Sequence, residues 1–132
     1  MRVNAVAPAR LDGARLKQAM TAEGLEFGRY DIFHRLHTDG RPVFSVASLR
    51  EPGTFDLNAM PATQYPGVAL FVVLPGPVAA AEAVDQMVFT ARALAAQLGG
   101  GLADERGVPL TPLRVSRLRE DALEFERSAG TA

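Results

Sequence analysis

The 132-residue chain contains no cysteine, which excludes disulfides and thiolate metal sites. It has no excess of basic charge. Fourteen Lys and Arg stand against fifteen Asp and Glu, for a net charge of −1. A nucleic-acid binder, which needs clustered cations to neutralise phosphates, is not expected. No stretch approaches the roughly 20 apolar residues that span a bilayer, and no signal-peptide pattern opens the chain. Internal repeats and low-complexity linkers are also missing. These absences predict a soluble intracellular domain. Strand-like sequence begins at Val3 with no leader before it, as in a piece trimmed from a longer protein.

What is present is ordinary for one globular domain over 1–132: 48% hydrophobic and 22% charged residues. A short apolar strand is expected over 3–7, closed by Pro8. Asp12 stands at an N-cap position, Ala14, Leu16, Ala19 and Met20 share one helical face, and Gly24 is a C′ residue, so a helix runs over 12–23. Strands follow over 26–36 and 43–50. They are joined by the polar turn Thr38-Asp39-Gly40-Arg41, which makes them antiparallel neighbours. Pro52-Gly53 ends the pairing. Residues 55–66 form a loop with one helical turn near 57–60. The run VALFVVL predicts a strand over 68–74. Between Pro77 and Leu98, the residues Val84, Met87, Val88, Ala91, Leu94, Ala95 and Leu98 recur at helical spacing until Gly99-Gly100-Gly101 stops them. A short hairpin pairs 102–104 with 108–110. Thr111-Pro112 then starts a last helix to about Arg127, with Val115, Leu118, Ala122 and Phe125 on one stripe. The tail 128–132 is expected to fray. The order β-α-β-β-β-α-β-β-α predicts an α+β domain: a mostly antiparallel sheet of about six strands with three helices on one face.

A magnitude directs attention to the other face. Six strands at about 4.8 Å make a sheet roughly 29 Å wide, and three helices at about 8–10 Å cover about 24–30 Å. One face is thus covered and the other should be polar. It is not. With Phe27, Phe33, Phe44, Val46, Val68, Leu70, Val72 and Leu74 turned inward, the outward set is Tyr30, Ile32, His34, Val43, Ser45, Ala47, Leu49, Ala69, Phe71 and Val73. Val3 and Ala5 extend this surface, and Arg29, Arg50 and Glu51 rim it. Three readings stay open: the 55–66 loop folds over the face, a second copy covers it, or it is a docking groove for a partner segment.

No catalytic or metal constellation competes. His34 and His37 would point to opposite faces of a strand and cannot share a metal. Ser45 and His34 lie on neighbouring strands but have no acid or oxyanion loop with them. The Gly99–Gly101 run ends a helix, so it cannot cradle a phosphate at a helix N-terminus. The alternating charges of the last helix read as a solvated face. Neither an enzyme nor a cofactor is expected.

The segments FGRYDIFHR (27–35), FSVASLREPGTFD (44–56) and PGVALFVVLP (66–75) resemble the C-terminal domain family of ZipA, as do AAQLGGGLADERG (95–107) and LTP (110–112). The resemblance implies an α+β domain whose open sheet face holds a shallow hydrophobic groove for the C-terminal tail of FtsZ, bound largely as a helix. By position it implies Val3, Tyr30, Ile32, Ala47, Leu49, Ala69, Phe71 and Val73 as groove residues. Tyr30 and Leu49 stand where better-known members carry methionine, which makes the floor less pliable. Glu51 stands where a lysine can occur at the rim, beside Arg50. The family's membrane anchor and Pro/Gln-rich linker are not in these residues. With them, the domain would work at the cytoplasmic face of the bacterial inner membrane, itself a monomer without direct membrane contact. The alternative is a ferredoxin-like regulatory domain that binds a small molecule or dimerises through the sheet face.

Overall fold

The computed structural model describes residues 1–6 and 9–130. Eight strands and three helices follow in the order β1 (Arg2–Asn4), β2 (Leu11–Asp12), α1 (Gly13–Ala22), β3 (Glu26–Phe27), β4 (Phe33–Leu36), β5 (Pro42–Ser48), β6 (Gln64–Tyr65), β7 (Gly67–Phe71), α2 (Ala80–Leu98), β8 (Gly101–Ala103) and α3 (Pro112–Gly130). A single 3₁₀ turn lies at Met60–Ala62. The main sheet has the order β3-β4-β5-β7-β1-β8, every neighbouring pair antiparallel. The class expected from the sequence is therefore the one observed. The first strand, expected over 3–7, is β1 at Arg2–Asn4 and stops before Ala5 and Val6. Ala7, Pro8 and the last two residues of the tail lie outside the described residues.

The helix ends behave as their chemistry requires. Asp12 accepts the Arg15 backbone N–H at 3.2 Å and so caps α1, which leaves through Gly24 at φ +79. Thr111 Oγ1 accepts the Arg114 N–H at 3.1 Å ahead of Pro112. α3 continues past the expected end at Arg127 to Gly130. The N-terminus of α2 has no cap of its own. Glu126 of α3 supplies one, its Oε1 accepting the Ala81 N–H at 3.0 Å. A carboxylate there satisfies an orphan donor and faces the positive end of the helix dipole. Glu126→Ala should cost about 1 kcal/mol, a fall in Tm of roughly 3–5 °C that calorimetry would register, with Glu126→Gln recovering part of it.

The core lies between the sheet and α1 and α2. Val3, Phe33, Phe44, Val46, Val68 and Leu70 of the sheet meet Leu16 and Met20 of α1 and Met87, Ala91 and Leu94 of α2. α3 reaches this layer by packing on α2: Ala122, Val115, Leu118 and Leu123 close against Ala80, Ala81, Val84 and Val88.

Residues 55–66 do not cross the open face. Phe55, Met60 and Tyr65 are buried in the same core as α1. A small second sheet, β2 with β6, ties this segment to the start of α1. Phe33, Phe55 and Tyr65 form a chain of aromatic contacts at centroid distances of 5.3 and 5.5 Å. The reading in which this loop buries the open face is overturned.

The largest departure from expectation is within 26–36. A single strand is predicted there, but the chain reverses between β3 and β4, pairing Glu26 with His34 and Phe27 with Phe33. Tyr30 (φ +63) and Asp31 (φ +55) form the reversal in the left-handed region. Cross-strand partners share a face, so Phe27 and Phe33 still point inward together, with ring centroids 5.5 Å apart.

Candidate functional site

The register sorts the side chains. On the helix side the rows run Phe27–Phe33–Val46–Leu70 and Ser48–Val68–Val3–Leu102. On the open side they run Glu26–His34–Ser45–Phe71 and Ala47–Ala69–Arg2. Val3 therefore belongs to the core, 0% exposed opposite Val68, and does not line a groove. In a three-residue strand nothing in the sequence fixes the register, and a one-residue slip exchanges the faces. Arg2 takes the place expected for Val3. Val43, also expected outward, is buried in the core.

The open face carries a concavity of about 610 Å³. One wall is the 28–32 reversal with Tyr30 and Ile32. The other end is the 36–42 turn, with Leu36, Asp39, Gly40, Arg41 and Pro42. Phe71 and Val73 border it on the β7 side, and His34 and Ser45 form the floor. Tyr30 is 75% exposed, Val73 68% and Phe71 38%, and the three are gathered around one hollow. Ile32 is buried but lines the cavity.

Four of the eight residues implied by the resemblance, Tyr30, Ile32, Phe71 and Val73, thus converge on one hollow. Ala47, Leu49 and Ala69 are half-buried and lie outside it. Ala47 pairs with Ala69 on the open side. Leu49 lies over Gly67, its Cδ1 only 3.0 Å from where a Cβ would stand. The hollow sits nearer the β4–β5 turn than the resemblance implies.

Polar groups rim it. Glu26, Arg29, Asp39 and Arg41 are exposed and line the opening. The Arg29 guanidinium lies 5.9 Å from the Tyr30 ring centroid, and Arg41 Nε is 2.7 Å from Asp39 Oδ2. The Arg41 backbone N–H and guanidinium both donate to Asp39 and hold its carboxyl below the usual 3.8. Arg50 and Glu51, also expected at the rim, do not line the hollow.

The triplet Phe33-His34-Arg35 divides three tasks between the faces. Phe33 enters the core. His34 turns to the open side, 5% exposed, with Nδ1 2.7 Å from Ser45 Oγ and Nε2 2.8 Å from the Arg29 carbonyl. Arg35 returns to the helix side, where its guanidinium donates to the Glu23 carbonyl at the end of α1 and to Thr90 of α2 at 3.4 Å, and lies 5.8 Å from the Phe44 ring centroid. A cation at a helix C-terminus faces the negative end of the dipole. The involvement of Leu36, Arg41 and Pro42 was missed in the sequence. Leu36 ends β4, Arg41 lies in the turn and Pro42 begins β5, so the turn itself was legible, but not that its two flanks line the hollow.

Chemically, this is a hydrophobic hollow with a charged rim, and its one histidine–serine pair lacks a carboxylate among its hydrogen-bond partners. Such a hollow is suited to holding an apolar stripe.

Comparison with known proteins agrees with the sequence resemblance. The family model described as ZipA, C-terminal FtsZ-binding domain, matches residues 1–121. The cell division protein ZipA of Marinobacter nauticus is 41% identical over 121 residues, 89% of this chain and 36% of that protein. Those of Pseudomonas fluorescens SBW25 and Ectopseudomonas mendocina are each 40% identical, over 122 and 118 residues. These alignments cover 90% and 87% of this chain, and 42% and 43% of the relatives. The chain thus spans less than half the length of the relatives it matches. With nearly its whole length matched and its sheet, helices and open apolar face in place, the chain belongs to the family of ZipA C-terminal, FtsZ-binding domains.

Proposed function

We propose that this domain is a non-enzymatic cell-division adaptor that captures the C-terminal tail of FtsZ in the hollow of the open sheet face. Within a protein of the length of its relatives it would help to link the septal ring to the inner membrane from the cytoplasmic side. The observation that carries this reading is the exposure of Tyr30, Phe71 and Val73 around one concavity that no part of the described chain covers. An amphipathic helix laid across it would place apolar side chains at helical spacing against these residues, with its polar face toward Glu26, Arg29 and Arg41. The reading requires this face to be free, because a dimer through it would occlude the peptide.

The direct test is to titrate a labelled peptide of the FtsZ C-terminal tail against the domain. A shallow hollow and a peptide that orders on binding lead to micromolar affinity, about −8 kcal/mol. Absence of saturable binding at about 100 µM would sink the reading. A stable dimer in sizing chromatography that buries the hollow would favour a dimerising regulatory domain instead.

A further inference from the structure

His34 makes two hydrogen bonds that together assign its role. A carbonyl oxygen only accepts, so the contact between Nε2 and the Arg29 carbonyl at 2.8 Å requires the proton on Nε2. In the neutral ring, Nδ1 is then the acceptor, and the Ser45 hydroxyl, 2.7 Å away, donates to it. The relay runs from the central strand β5, through a ring that is 5% exposed, to the backbone of the 28–32 reversal.

That reversal needs holding. Tyr30 and Asp31 are both left-handed, a conformation that costs a non-glycine residue roughly 1–2 kcal/mol and persists only where the surroundings over-determine it. Within the reversal the Asp31 N–H donates to the Gly28 carbonyl at 3.1 Å and the Gly28 N–H to the Ile32 carbonyl at 3.0 Å, and two further contacts clamp it from outside. From the core side, the Phe55 N–H donates to the Asp31 carbonyl at 2.8 Å. From beneath the groove, His34 holds Arg29. Between these clamps the Tyr30 ring stands out as the groove wall.

We propose that His34 is a positioning residue for ligand capture: the Ser45–His34–Arg29 relay pre-organises the Tyr30 wall, so the groove's affinity depends on a buried ring rather than only on the apolar residues at its surface. This rests on the peptide-capture reading for its affinity arm, but its structural arm does not. Without the relay, the wall would have to be ordered at the moment of binding, and the ordering cost would appear in the affinity.

The test compares wild type, His34→Phe, which keeps a ring of similar volume without hydrogen bonds, and His34→Gln, which keeps a donor for the Arg29 carbonyl. In the free wild-type protein, long-range ¹H–¹⁵N spectra should show the Nε2–H tautomer, and ¹⁵N relaxation should give Tyr30 and Asp31 the order parameters of rigid backbone, about 0.85. In His34→Phe they should fall below about 0.6, with binding of the tail peptide weakened about tenfold and partly recovered in His34→Gln. A merely structural histidine would lower Tm and leave both quantities unchanged. An equally ordered reversal in His34→Phe, or peptide affinities within about twofold of each other, would overturn the proposal. If the wild type itself fails to bind the peptide, the capture reading falls, and the order parameters still decide whether the relay holds the wall. Should His34→Phe not fold, Ser45→Ala breaks the relay at its other end and is read the same way.

Discussion

Replacing Phe71 by aspartate should weaken the proposed capture of the FtsZ tail by about 30-fold or more, roughly 2 kcal/mol or above, while leaving the unfolding transition nearly in place. The expectation follows from where the ring sits. Phe71 ends β7, pairs with Ser45 across the open side, and is 38% exposed. Its neighbour Leu70, one residue earlier, points into the core at 1%. A carboxylate at position 71 stays hydrated in the free protein and loses water only when an apolar peptide covers it, so the penalty falls on the complex. Peptide titration and thermal unfolding of the same sample separate the two effects. Collapse of the fold would mean that Phe71 is a core residue. Unchanged affinity would mean that the peptide binds elsewhere on the face.

The second large effect is one of sign. Gly13 is the first residue of α1, and helix propensity taken alone favours Gly→Ala by up to about 1 kcal/mol. The packing opposes it. A Cβ on Gly13 would stand 2.0 Å from the Met60 carbonyl oxygen and 2.6 Å from that of Thr63, both backbone atoms that no side-chain rotation can move. The Gly13 N–H also donates to the Thr63 carbonyl at 2.9 Å, so helix and segment are already in close register. Gly13→Ala should therefore destabilise the domain by about 2–3 kcal/mol, as overpacking does. Urea unfolding measures it. A variant as stable as the parent would show that α1 does not seat against residues 60–63 in this way.

How much of this was legible without coordinates depended on how far each signal extends along the chain. The caps Asp12 and Thr111 and the helical stripe through Val84, Met87, Ala91 and Leu94 were readable because they repeat or are chemically specific. The alternation in VALFVVL was long enough to separate Val68 and Leu70 from Phe71 and Val73. The reversal at Tyr30-Asp31 was not readable. Tight turns announce themselves through residues that tolerate positive φ, and tyrosine is not one of them. The face assignment around it nevertheless held, because Phe27 and Phe33 share parity on a straight strand and share a face across a hairpin. Val3 failed for the opposite reason: three residues contain no period to anchor a register. The pairing of β2 with β6, two residues each, left no trace for the same reason.

The two margins of the main sheet narrow the way in which a peptide can be held. β3, at one margin, offers two residues of backbone. β8, at the other, is three residues long and is already bridged through Ala103 to Pro109, whose nitrogen carries no hydrogen. Neither margin presents the run of free N–H and C=O groups that an incoming strand would need. Sheet extension, a common route by which β-rich domains take up extended peptides and also the route by which they aggregate, has little to build on here. Under the proposed capture reading, the peptide would be recognised through its side chains, in a conformation that satisfies its own backbone. A helix meets that requirement.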